Sequence, residues 1–180
     1  MPVGVCILGA SRHVAEEPDG LPDLVHASFG VPARRLNRRL DLDRAYEPAR
    51  GQHNATALLQ QVLAIGQGSD EKMIAVVDED LFIPVLTFVF GQAQLAGTAA
   101  VVSTHRLANE FYGMPRDEDR LRERIGKEVV HELGHLFGLY HCRQFECVMR
   151  SSTYVEEIDL KRVAFCEACA SHLRVLTGAS

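Results

Sequence analysis

The chain is 180 residues long, 47% hydrophobic and 24% charged, with a net charge of −5. That length makes one domain over residues 1–180 the default, large enough to bury about 70% of the surface its unfolded chain exposes. The acidic balance gives no footing for nucleic acid or an anionic membrane as partner, and the longest apolar run, Leu81 to Gly91, is broken by Pro84 and Thr87 and falls far short of the roughly 20 residues that span a bilayer.

Val3 to Leu8 reads as a buried first strand. With no basic segment ahead of its short apolar stretch it does not read as a signal peptide, which leads us to expect a cytoplasmic protein. A turn-rich stretch through Glu16–Gly20 follows, then a short helix over Leu21–Phe29, closed by Gly30 and blocked by Pro32. Residues Arg34 to Asp41 alternate Leu36 and Leu40 with polar residues and predict a half-exposed strand. The five arginines between Arg34 and Arg44 are interrupted by Asp41 and Asp43, so they read as a solvated face rather than a recognition patch. Pro48 to Gly51 is loop. Asn54 is a natural N-cap for a helix over Ala55–Ile65, whose inner face carries Leu58, Leu59, Val62 and Leu63 and which Gly66 ends. Met73 to Val77 predicts a central strand ending in the acidic turn Asp78-Glu79-Asp80. That turn reads as a solvated strand end, with cation binding as the alternative. Thr87–Phe90 and Ala99–Ser103 predict two further strands. A long helix starts after Pro115, where Asp117, Glu118 and Asp119 complement its positive end, and Leu121, Ile125, Val129 and Leu133 form its core stripe. Cys142 to Met149 is a tight loop, and Glu167–Leu176 a short final helix. These elements predict an α+β domain with a mixed, mostly parallel sheet of about five strands and helices packed on it.

The long helix ends in chemistry. Residues 131–141 read HELGHLFGLYH, matching the pattern HExxHxxGxxH. On a helix His131 and His135 project from one face, close enough to share a metal ion. Leu133 lies nearly opposite His131, so one helix face packs on the sheet while the other presents ligands to a cleft. Gly138 supplies the backbone freedom for a turn that brings His141 round as a third ligand. Three neutral imidazoles leave one tetrahedral position open for water, the arrangement of a catalytic zinc site. Such nitrogens favour zinc over magnesium or calcium, although other transition metals also suit them. Glu132 stands beside the ligands, where it reaches that water as general base. A charged helix face with stray histidines is the bland alternative.

Four cysteines follow, Cys142 and Cys147 in a C-x4-C pair and Cys166 and Cys169 in a C-x2-C pair. In a reducing compartment this spacing predicts a structural zinc held by four thiolates; in an oxidising one it would allow two disulfides. Cys6 is left over, and a small buried hydrophobe is its expected role.

Taken in order, the extended histidine motif, the cysteine directly after its third histidine, the C-x4-C pair, Met149 two residues later and the closing C-x2-C pair resemble the archaemetzincins, zinc peptidases of the metzincin clan. The likeness is densest from Glu128 to Cys169 and reaches upstream through Arg50–Ala55, Phe88–Ala93 and Val101–Leu107. It implies a compact single-domain metzincin-like fold with an active-site helix and a C-terminal zinc lobe built on the four cysteines. It also implies that Met149 is the Met-turn residue, a hydrophobic floor under the catalytic metal, where a gap-filling core methionine is nearly the same physical claim. By analogy of fold, Ala99–Ser103 could be the edge to which an extended peptide adds, with an ordinary buried strand as the near-equal alternative. Two departures stand out. The connection Arg150–Phe165 is slightly shorter than the family pattern, and Ser151 occupies the position where some metzincins carry a tyrosine. The expected function is a zinc metallopeptidase, an aminopeptidase if its cleft is closed at one end. It would hydrolyse peptide bonds through a zinc-bound water held by His131, His135 and His141 and activated by Glu132, with a second zinc at the cysteines. Its partner would be a peptide or protein substrate, and the chain is expected to act as a monomer. The alternative is a non-catalytic zinc protein whose metals serve folding or partner binding; an intact Glu132 beside an open coordination position argues against it.

Overall fold

The first strand, β1 (Val5–Gly9), lies between two parallel neighbours, and its side chains alternate between two separate apolar cores. A computed structural model describes residues 4–9 and 20–178. The start of the first strand at Val3 and the turn through Glu16–Asp19 fall outside the described residues. After α1 (Leu21–Phe29) come β2 (Ala33–Leu36) and two short strands, β3 (Tyr46–Glu47) and β4 (Gln52–Asn54). Next are α2 (Ala55–Ile65), β5 (Lys72–Val77), β6 (Leu81–Phe82), β7 (Gly91–Ala93) and β8 (Ala99–Ser103). Three helices complete the chain: α3 (Glu118–Leu136), α4 (Val155–Leu160) and α5 (Glu167–Thr177).

The main sheet has the order β2-β1-β5-β8-β7. Its first four strands pair in parallel and β7 joins antiparallel, so the expectation of a mixed, mostly parallel five-stranded sheet holds. A smaller sheet, β3-β4-β6, was not legible from periodicity, because its strands are two or three residues long. Cys6, Leu8, Ala75, Val77 and Val101 face α2, whereas Val5, Ile7, Ile74, Val76 and Val102 face α1, α3 and the C-terminal lobe. Cys6 is buried in the first of these cores, as expected.

The predicted caps are present. The Asn54 side chain accepts hydrogen bonds from the backbone N–H groups of Thr56 and Ala57 at 2.9 and 3.3 Å, and Asp117 accepts from that of Arg120 at 2.9 Å. At the far end of α3 the Lys72 ammonium donates to the carbonyl of Leu136 at 2.7 Å, placing a cation where the helix dipole is negative.

Three expectations need correction. The strand predicted over Arg34–Asp41 ends at Leu36. Beyond it the backbone of Asp41 is bound by the Gln61 side chain, and Leu40 and Leu42 turn in under α2. Thr87–Phe90 is a loop and the strand begins at Gly91. The carbonyls of Leu86 and Thr87 are taken by the side chains of Arg50 and Gln52 instead of a neighbouring strand, and only Val89 bridges to Leu81. Lastly, β8 is not an edge: it pairs with β5 on one side and β7 on the other, and β7 ends the sheet. The acidic turn is also less solvated than its composition suggests, since Asp80 forms a bidentate pair with Arg106 at 2.6 and 2.7 Å.

Candidate active site and metal centres

Helix α3 carries its ligands in the last turns, and the reversal of the chain beyond them is set by Gly138, whose φ of 99° lies in the left-handed region where a side chain is strained. The Leu139 N–H reaches back to the carbonyl of Gly134 at 2.9 Å, and the backbone heads toward His141. His131 Nδ1 hydrogen-bonds the carbonyl of Val148 at 2.8 Å, and His135 Nδ1 that of Leu139 at 2.7 Å. A carbonyl only accepts, so both Nδ1 atoms carry protons and, in the neutral rings, both Nε2 atoms are bare. Those two Nε2 atoms stand 3.2 Å apart. The His141 ring closes the group, its centroid 5.3 and 4.8 Å from those of His131 and His135, and one ligand nitrogen from each ring falls within 4.8 Å of the others.

Two bare lone pairs facing each other at that distance call for a cation between them. A proton is disfavoured, because burial, with the Lys161 ammonium nearby, pushes His131 well below its ordinary pKa, and burial lowers His135 and His141 as well. A metal is not. Two nitrogens bound at about 2.0–2.1 Å in a tetrahedron sit roughly 3.4 Å apart, close to the spacing found. The residues present therefore fit zinc, held through Nε2 of His131 and His135 and one ring nitrogen of His141.

Glu132 is buried immediately beside this group. Burial raises its carboxyl well above the usual range, the Glu128 charge one helical turn earlier adds to that, and Lys161 opposes it. A cation at the three histidines would favour the ionised form. Two glycines make room around the site. A Cβ at Gly91 would stand 2.6 Å from Glu132 Oε1 and 2.8 Å from the carbonyl of Val101, while one at Gly134 would collide with the sulfur of Met149. Met149 is fully buried, its thioether lying against α3 at Gly134, between the first two ligands in sequence. A cleft of 370 Å³ opens over the site between the loop Leu86–Gly91 and the segment Ser151–Thr153, lined as well by Glu128, His131, Glu132 and His141.

The C-terminal lobe is clamped to α3 by charge. Arg124 grips Asp159 through two hydrogen bonds of 2.7 Å and donates a third to the carbonyl of Leu107. One turn on, Lys161 meets Glu128 at 3.1 Å and donates to the carbonyl of Arg150, next to Met149, also at 3.1 Å. Sequence reading passed over Glu128 and Lys161. The available signal was Glu128 four residues before Glu132, hence on the same helix face.

Among the described residues a second group of ligating side chains converges, Cys142, Cys147, Cys166 and Cys169. All are free thiols, so the disulfide alternative is not realised. Cys142 is brought in by its N–H donating to the carbonyl of Met149 at 2.9 Å, and Val148 is tied to Ala164 at 3.0 Å. Cys166 sits at the N-terminal end of α5, where the backbone N–H of Cys169 stabilises its thiolate and lowers its pKa to about 7; burial raises Cys147 and Cys169. Cys142 Sγ and Cys166 Sγ lie 3.7 Å apart, too far for a covalent bond and close to the roughly 3.8 Å edge of a zinc–thiolate tetrahedron with bonds of about 2.3 Å. This donor set also fits zinc.

Residues 12–175 match Peptidase family M54. An archaemetzincin of Archaeoglobus fulgidus is 36% identical over 169 residues, covering 93% of this chain and 95% of its own, and one of Methanocaldococcus jannaschii is 38% identical over 130 residues, covering 72% and 70%. The crystal structure of the Methanopyrus kandleri archaemetzincin superposes with a TM-score of 0.85 at 33% identity, covering 97% of this chain and 95% of that one. A zinc-dependent peptidase from Methanocorpusculum labreanum gives 0.84 at 32% identity, with 94% and 100% covered. No helix among the described residues is long and apolar enough to cross a membrane. The chain therefore belongs to peptidase family M54, the archaemetzincins, and is a zinc metallopeptidase.

Proposed function

We propose that His131, His135 and His141 hold the catalytic zinc and that Glu132 is the general base of peptide-bond hydrolysis. Cys142, Cys147, Cys166 and Cys169 hold a second, structural zinc, and Met149 is the Met-turn floor. The observation that carries this reading is the meeting, beside one cleft, of three convergent imidazole nitrogens with a buried carboxylate. Zinc bound there supplies Lewis acidity, polarising a carbonyl and making a water acidic near neutral pH. Glu132 takes the proton of the attacking water and later gives it to the leaving amine. Gly91 keeps the strand close enough for that carboxylate to lie in the cleft, and the carbonyls of Val148 and Leu139 fix the ring orientation of His131 and His135. An extended peptide has β7 as the free end of the sheet, with Gly91 at the cleft.

The test is cleavage of an unbiased peptide library by zinc-loaded protein, read by mass spectrometry. Cleavage should disappear with a chelator and return with zinc. Protein that holds zinc and cleaves nothing across the library would favour the non-catalytic alternative.

A further inference from the structure

The cleft's two walls differ in chemistry. One is apolar, built by Leu86, Phe88, Val89 and Phe90. The other carries Glu128 and Ser152. Glu128 is paired with Lys161, but the two are not equivalent from the cleft. Glu128 lines it with a side chain 5% exposed, whereas that of Lys161 is 1% exposed and its ammonium is turned to Glu128 and the carbonyl of Arg150. The group presented is thus an acceptor whose charge is already balanced. Ser152 adds an unmet requirement: its Oγ is buried and has no hydrogen-bond partner among the described residues. A buried hydroxyl left unpaired is costly, and an incoming group that pairs with it recovers that cost.

We infer that this cleft selects a substrate group with an apolar body and a hydrogen-bond donor at its tip, the body lying along the Phe88–Phe90 wall and the donor reaching Glu128 and Ser152. The inference rests on the peptidase reading and names the substrate class of the same site. A glutamine side chain has this form, and so do lysine and arginine with their long apolar stems. An apolar side chain of equal length leaves the Ser152 hydroxyl desolvated and unpaired and gives Glu128 no partner beyond Lys161, and an acidic one sets a second carboxylate against Glu128. Sites built to hydrogen-bond a substrate group reject analogues that lack it far more strongly than apolar pockets distinguish sizes. The free α-amino group of a short peptide offers the same donor chemistry from a different source.

The experiment uses zinc-loaded full-length protein and near-isosteric peptides with Gln, Met or Glu at each residue flanking the cleaved bond, every peptide made with a free and an acetylated N-terminus. At one flanking position kcat/KM should fall about tenfold or more from Gln to Met, and further to Glu, with acetylation immaterial. Loss of all cleavage on acetylation would instead assign the donor to the α-amino group, which the same acceptors explain. Met or Glu peptides cleaved as well as Gln peptides, with no effect of acetylation, would overturn the inference while leaving the peptidase reading intact. No cleavage of any peptide would overturn that reading and this one together. In Ser152→Ala the Gln-over-Met ratio should narrow to a few-fold, and an unchanged ratio would remove Ser152 from the account.

Discussion

A Cβ added to Gly91 would stand 2.6 Å from Oε1 of Glu132, and the backbone of Val101 on the other side leaves it nowhere to go. The position of the proposed base is therefore set partly by a residue with no side chain, forty-one positions upstream in sequence. Gly91→Ala should push Glu132 out of line and lower kcat/KM by roughly 10- to 100-fold, the scale of a misplaced catalytic group. Zinc content should not change, because the histidines are untouched. Wild-type kinetics in that variant would mean that Glu132 is placed by other contacts. The ligands themselves were legible in the sequence, since their spacing is local and the helical period converts it directly into geometry. Gly91, Glu128 and Ser152 were not, because they reach the cleft from three separate segments and only Glu128 shares a helix face with the motif; nor was Lys161, which meets Glu128 from a fourth.

Among the elements, α3 does the most, and its two jobs draw on different residues. Its last turns hold the metal ligands, while Arg124, 2% exposed, ties it to α4 through Asp159 and to the carbonyl of Leu107. Arg124→Ala would leave Asp159 and that carbonyl unpaired. We expect a loss of about 3 kcal/mol, the low end for a broken buried pair because Asp159 remains 31% exposed. Urea unfolding measures it, and a loss below about 0.5 kcal/mol would make the clamp ornamental. Helices α1, α2 and α3 were readable because their caps and periodic apolar faces agree with the tertiary packing. The misread strand at Thr87–Phe90 shows where local pattern loses. Its β-prone side chains belong to a loop whose carbonyls are held by Arg50 and Gln52, from a distant turn and the start of β4, which no periodicity connects to it. For the same reason β8 was mistaken for an edge: pairing order in a sheet depends on a three-residue strand too short to announce itself.

At the scale of the molecule, two donor groups sit on either side of the His141–Cys142 peptide bond, one facing the cleft and one closing the C-terminal lobe. The division of labour proposed for them has a direct consequence. Wild-type protein purified without chelator should contain about two zinc ions per chain, by the coordination each donor set offers. Cys166→Ser should reduce that number to about one and lower stability by several kcal/mol, because a structural zinc contributes its binding energy to folding. His135→Ala should remove the other ion and all cleavage with a smaller fall in melting temperature. Melting experiments giving the reverse order would exchange the two roles. The central claim is that a carboxylate beside three histidines does the chemistry, and Glu132→Gln separates that from metal binding and folding. The substitution keeps size and polarity while removing the capacity to accept a proton. Peptide cleavage and zinc content should be measured on the same preparation. Full zinc occupancy with cleavage reduced by at least about 10²-fold is the predicted result; cleavage at the wild-type rate with zinc in place would contradict it.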